Sequence, residues 1–142
     1  MNLKATSISI IFFIITFLDI LFTTYFQPLF LVGIVFMIFL NSLKKEYYYL
    51  LILSIMMFFI IEVILGIKMF TFTFISIFVY FFVIPRIKHL FSSLLFRDLS
   101  YLFIFYAIFY IDYIISAQYD ISSYNIFLVN FLIDSIVVGL LV

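Results

Sequence analysis

Phe59-Ile60-Ile61-Glu62-Val63-Ile64-Leu65-Gly66-Ile67-Lys68-Met69-Phe70-Thr71-Phe72-Thr73-Phe74 sets a carboxylate near the end of one apolar run, then a glycine and a lysine, then the start of a second apolar run. Apolar runs too long for core strands, with a glycine between them, predict a tight hairpin joining two helices. With runs of this length on both sides, the hairpin reads as a turn at the edge of a membrane.

Composition agrees with that reading. The chain has 142 residues, of which 69% are hydrophobic and 10% charged; soluble domains average about half apolar and about a quarter charged. The expected fold class is therefore all-α, a polytopic integral membrane protein forming one transmembrane domain. Without cysteine, disulfides, thiolate catalysis and Cys metal sites are excluded. Formal net charge is zero, and no basic stripe points to nucleic acid. The 23 Phe and 11 Tyr read as a compositional drift that lipid-facing surfaces accept, with an aromatic ligand box as the rarer alternative.

About six spans are expected, over residues 7–26, 29–43, 47–67, 69–84, 101–116 and 124–142. Met1 to Leu21 superficially resembles a signal peptide, but no small-x-small cleavage site follows, so it reads as a retained first span. Span 1 stops at Gln27-Pro28, because the residue before a proline is pushed out of the helical region. The second span is short, rising only about 22 Å, and borrows polar flanks or thins the bilayer locally. Tyr47, Tyr48 and Tyr49 open the third at an interface. Pro85 is expected to end the fourth. Residues 86–100 form a cytoplasmic basic loop whose apolar residues recur at helical spacing, as in a short amphipathic surface helix. A polar turn is expected over residues 117–123.

Orientation follows from the cations. Six spans with the N-terminus inside put Lys4, Lys44, Lys45, Arg86, Lys88 and Arg97 in the cytoplasm and leave Lys68 outside. Both termini are thus cytoplasmic, and the Glu62–Lys68 hairpin faces outward.

Four acids fall inside these spans: Asp19, Glu62, Asp112 and Asp134. A charge at mid-bilayer costs about 2.5–3.5 kcal/mol on insertion scales, so each should face the bundle interior or lie near an interface. Glu62 could pair with Lys68 or with a basic group of a partner. Asp134 shares a helix face with Asn130, Asp112 with Ser116, and Asp19 with Thr23. One reading makes these acids a proton or cation relay, or a polar cavity; the other makes them hydrogen-bonding glue between helices. His89 has no second histidine with which to hold a metal. The basic face of Lys44, Lys45, Arg86, Lys88 and Arg97 reads first as a topology determinant touching lipid headgroups. No glycine-rich phosphate loop, nucleophile elbow or metal-spaced motif is present, so neither enzymatic activity nor a cofactor is expected.

On these residues the chain resembles the rod-shape-determining MreD family. The likeness lies in size and hydropathy, in Pro28 before the second span, in Glu62 and Gly66 ahead of Thr71 to Tyr80, and in Asn130 and Asp134 of the last span. It departs in having Glu at 62, where aspartate is commoner, and in keeping only Gly66 of the glycines and proline usual around the central hairpin. The resemblance implies a non-enzymatic inner-membrane component of the cell-shape and elongation machinery. Such a scaffold binds MreC and, with it, links MreB filaments to peptidoglycan synthesis. The alternative is a small-molecule-binding membrane subunit of an uptake transporter, or a small proton-coupled carrier.

Overall fold

The computed structural model describes residues 32–116 and 123–141, together with Ile14, Phe17 and Leu18. Apart from those three residues the expected first span, with Asp19, lies outside the described residues, as do Lys4, Pro28 and residues 117–122 of the turn expected over 117–123. Among the described residues every regular element is helical. Helix α1 is Val32–Lys45 and α2 is Tyr48–Leu65. Helix α3 runs Thr71–Ile87, α4 is Leu94–Ser116 and α5 is Ser123–Leu141.

Two helix ends depart from the sequence reading. Pro85 does not stop α3. The helix widens into a π turn over Val79–Val83 and resumes as α-helix over Ile84–Ile87, with Pro85 in the first turn of that resumed segment. Proline lacks an N–H and crowds the carbonyl four residues back, so a wider turn just before it relieves both problems without ending the helix. The second departure is the expected surface helix at 86–100. Only residues 88–93 form the connection, and Leu94 to Ser100 are the opening turns of α4.

The 23 residues of α4 rise about 34 Å. Within it Leu94–Ile115, of mean hydropathy 1.6, is the one stretch among the described residues long and apolar enough to cross a membrane; Tyr48–Ile64, Thr71–Ile87 and Leu128–Leu140 are shorter apolar helices.

Among the described residues, helix α1 packs against each of the other four helices. It can do so because Val35, Phe36, Phe39 and Leu40 are all large, apolar and buried. Phe36 stacks on Phe105 of α4 with ring centroids 4.3 Å apart. Phe58 of α2 lies 5.8 Å from both Phe39 and Phe72, and Phe72 lies 4.6 Å from Phe109. Offset and tilted aromatic pairs at these separations add to plain packing. The phenylalanines are thus more than lipid-facing drift, since six of them join four helices into one core.

Outward faces are apolar as well. On α2, Ile52, Met56, Phe59, Ile60 and Val63 are exposed, while Met57, Phe58 and Ile61 are buried. A helix apolar on both faces suits a surrounding medium that is itself apolar.

Candidate functional site

Glu62 is fully buried in the last turn of α2. Its main-chain carbonyl accepts the Ile67 N–H at 3.0 Å while the Gly66 N–H reaches the Val63 carbonyl at 3.3 Å. With Gly66 at φ 66°, this is a Schellman closure, which uses glycine because a Cβ disfavours the left-handed region. The Glu62 side chain points to the next helix. Oε2 accepts the Phe70 N–H at 2.6 Å and Oε1 accepts the Phe72 N–H at 2.7 Å. Those amides open α3, where helical N–H groups have no intrahelical acceptor and a negative charge meets the positive end of the helix dipole. Phe70 itself stands at φ 67°, and the carboxylate helps to hold it there. One residue therefore ends α2 through its main chain and starts α3 through its side chain. Lys68 is exposed, and its carbonyl accepts the Thr71 N–H and hydroxyl at 3.4 and 2.7 Å. The expected alternative of a Glu62–Lys68 ion pair does not form among the described residues; the carboxylate is turned to the Phe70 and Phe72 amides instead.

Asp134 repeats the device with a different helix. It is fully buried on α5, one turn beyond the buried Asn130. Oδ2 accepts the Gly33 N–H of α1 at 2.8 Å and the Tyr106 hydroxyl of α4. Oδ1 has no hydrogen-bond partner among the described residues. Three helices meet at this carboxylate, and a first-turn amide of α1 that would otherwise lie unsatisfied in an apolar core is paired. Gly33 is required sterically, since a Cβ there would stand 2.5 Å from Oδ2.

The remaining candidates fall apart spatially. Asp112 is half-buried on α4 and joins neither cluster. Lys44, Lys88 and Arg97 border one cavity at the end of the bundle opposite the Glu62 hairpin; Arg97 is half-buried there, whereas Lys44 and Lys88, like Lys45 and Arg86, are exposed. The Lys44 ammonium lies 5.2 Å from the centre of the Tyr101 ring. Loss of solvent there lowers its pKa below the ordinary lysine value, and the charge of nearby Asp98 partly opposes that shift. Gly33 and Tyr106 were not apparent as site residues in the sequence. Gly33 carried a faint signal, as one of only three glycines in the chain; Tyr106 is one tyrosine among many. Comparison with known protein families, with curated proteins and with solved structures finds no match.

Proposed function

We propose that the chain is a non-enzymatic, multi-pass scaffold of the inner membrane, of the MreD type. In this reading it crosses the membrane about six times with both termini in the cytoplasm. It joins an MreC-like membrane protein, and through it MreB and peptidoglycan synthases, at its helix faces. The observation that carries the reading is the use made of the two buried acids. Both Glu62 carboxylate oxygens and one oxygen of Asp134 are engaged by backbone amides at helix starts, so these groups fasten helices together. Around them the outward faces of α2 and α4 present Ile52, Met56, Phe103 and Ile111, surfaces fitted to lipid and to partner helices. The residues that carry the family resemblance also act in concert: Glu62 and Gly66 make one joint, and Asn130 and Asp134 share the inner face of α5.

The test is a crosslinked pull-down of the tagged protein from its native membrane, read by mass spectrometry beside an empty-tag control. Recovery of a single-span MreC-like protein or of peptidoglycan synthases is the expected result. Recovery of an ATPase pair with a coupling membrane subunit would overturn it in favour of small-molecule uptake.

A further inference from the structure

A cavity of about 630 Å³ opens where the C-terminal end of α1, the end of α3 and the start of α4 converge. Its polar wall is Lys44, Lys88, His89, Arg97, Tyr80 and Tyr101. Two lysines and an arginine thus face one space, with the Asp98 carboxylate close enough to Lys44 and Arg97 to offset part of their charge. The Nε of Arg97 is buried and has no hydrogen-bond partner among the described residues. A buried guanidinium donor left unpaired is costly, and a planar fork of donors suits the oxygens of an anion such as a phosphate or a carboxylate. Apolar side chains, Phe81, Ile84 and Pro85, complete the lining. Phe81 is largely exposed and leads outward to the exposed, stacked pair Phe78 and Phe82, whose ring centroids are 4.9 Å apart. The exposed Leu90, Leu94 and Phe96 lie at the same end of the bundle.

From this arrangement we infer that the cavity binds the phosphate of an anionic phospholipid headgroup, with the acyl chains lying along the Phe78–Phe82 face of α3. Lys44, Lys88 and the Arg97 guanidinium neutralise the phosphate, and Tyr80 and Tyr101 add hydroxyl donors to the lining. A free phosphate ester would satisfy the cations equally well but would leave the apolar lining and the aromatic face beside it uncovered. A basic pocket between helices is a general form of headgroup site. The inference rests on the cavity alone and stands independently of the scaffold reading.

Full-length protein in a neutral detergent, stripped of native lipid, is titrated with phosphatidylglycerol or phosphatidylcholine and read by native mass spectrometry. Phosphatidylglycerol should bind clearly more tightly. Arg97→Gln and Lys88→Gln should each weaken it by about tenfold, as expected for loss of one charge-assisted contact. Lys68→Gln, at the other end of the bundle, should leave binding unchanged. Equal binding of the two lipids by the unaltered protein would overturn the site even if the variants failed to fold. Displacement of phosphatidylglycerol by inorganic phosphate or glycerol 3-phosphate at millimolar concentration would overturn the lipid assignment in favour of a soluble phosphate ligand.

Discussion

Gly33 and Asp134, 101 positions apart in the chain, meet so closely that only a hydrogen atom fits between them: the amide stands 2.8 Å from Oδ2, and a Cβ would lie 2.5 Å from the same oxygen. The contact ties the first turn of α1 to the last described helix, and the Tyr106 hydroxyl brings α4 to the same atom. Asp134 is not the flexible tip of a long side chain, so the pair has little means of adjusting.

Gly33→Ala should therefore destabilise the folded protein by about 1–3 kcal/mol, through steric conflict and through loss of the amide contact as Asp134 is pushed aside. Asp134→Asn, which keeps the shape and one acceptor oxygen, should cost less than Asp134→Ala, which leaves two buried donors unpaired. Thermal unfolding of the purified protein in detergent gives the ranking. A Gly33→Ala protein as stable as the parent would mean that the two residues do not meet as described. If Asp134→Asn were as damaging as Asp134→Ala, the charge rather than the hydrogen-bond pattern would matter.

At the hairpin, Glu62 serves two amides at once. Glu62→Gln presents an NH2 group to one of them and should lose about 1–3 kcal/mol; Glu62→Asp, one methylene shorter, should lose at least one of the two bonds. The local readout is amide hydrogen exchange. Phe70 and Phe72 should exchange faster in both variants, while peptides from the α1–α4 core stay protected. Unchanged exchange at Phe70 and Phe72 would contradict the cap.

Gly66 gives a cleaner measure of backbone strain, because nothing lies within 4 Å of where its Cβ would be and its φ is 66°. Gly66→Ala should cost about 1 kcal/mol, the steric penalty of a left-handed residue with a Cβ, and Gly66→Asn should cost less, since asparagine tolerates this region better. Thermal unfolding of the two variants side by side checks the order. Equal losses would imply that the helix end is held by something other than its dihedral angle.

The local grammar of this chain was readable where a signal is contiguous. A carboxylate, a glycine four residues on and an apolar restart were enough to place the α2–α3 joint, and the long apolar runs were enough for an all-helical class. The chemistry inside the joint was less accessible, since Glu62 and Lys68 look like an ion pair on paper. Only the fold shows that the nearer donors are the main-chain amides of Phe70 and Phe72. The Asp134 cluster was half legible: spacing put Asn130 and Asp134 on one face, but no local rule links position 134 to Gly33 or Tyr106. Pro85 misled because a proline in a helical pattern ordinarily ends it, and the π turn that lets α3 continue has no sequence signature of its own. The aromatic core was hidden by abundance, as the six packed phenylalanines look no different in sequence from the exposed ones.

That core supplies a further test. Phe105 is fully buried and its ring lies within 6.5 Å of Phe36, Phe58 and Phe72, which belong to three different helices. Phe105→Ala should lower stability by about 3–5 kcal/mol, whereas the same change at exposed Phe103 should be nearly silent for the isolated protein. Comparable losses at both positions, measured in detergent unfolding, would count against a specific aromatic centre.

The absence of cysteine makes the orientation directly measurable, because a single introduced thiol reports without background. Lys68 just precedes α3 and Arg86 lies in its last turn, both exposed; the stretch Thr71–Ile87 rises about 25 Å, somewhat short of a bilayer's hydrocarbon core of about 30 Å. If the cation distribution sets the orientation, Lys68→Cys should react with a membrane-impermeant maleimide in intact cells, and Arg86→Cys should react only after the membrane is permeabilised. The opposite pattern would invert the topology and put the basic cavity on the outer side. Labelling of both from one side would mean that α3 does not cross the membrane. The six-span reading would then fail at its central hairpin, and the outward placement of Glu62 would fail with it.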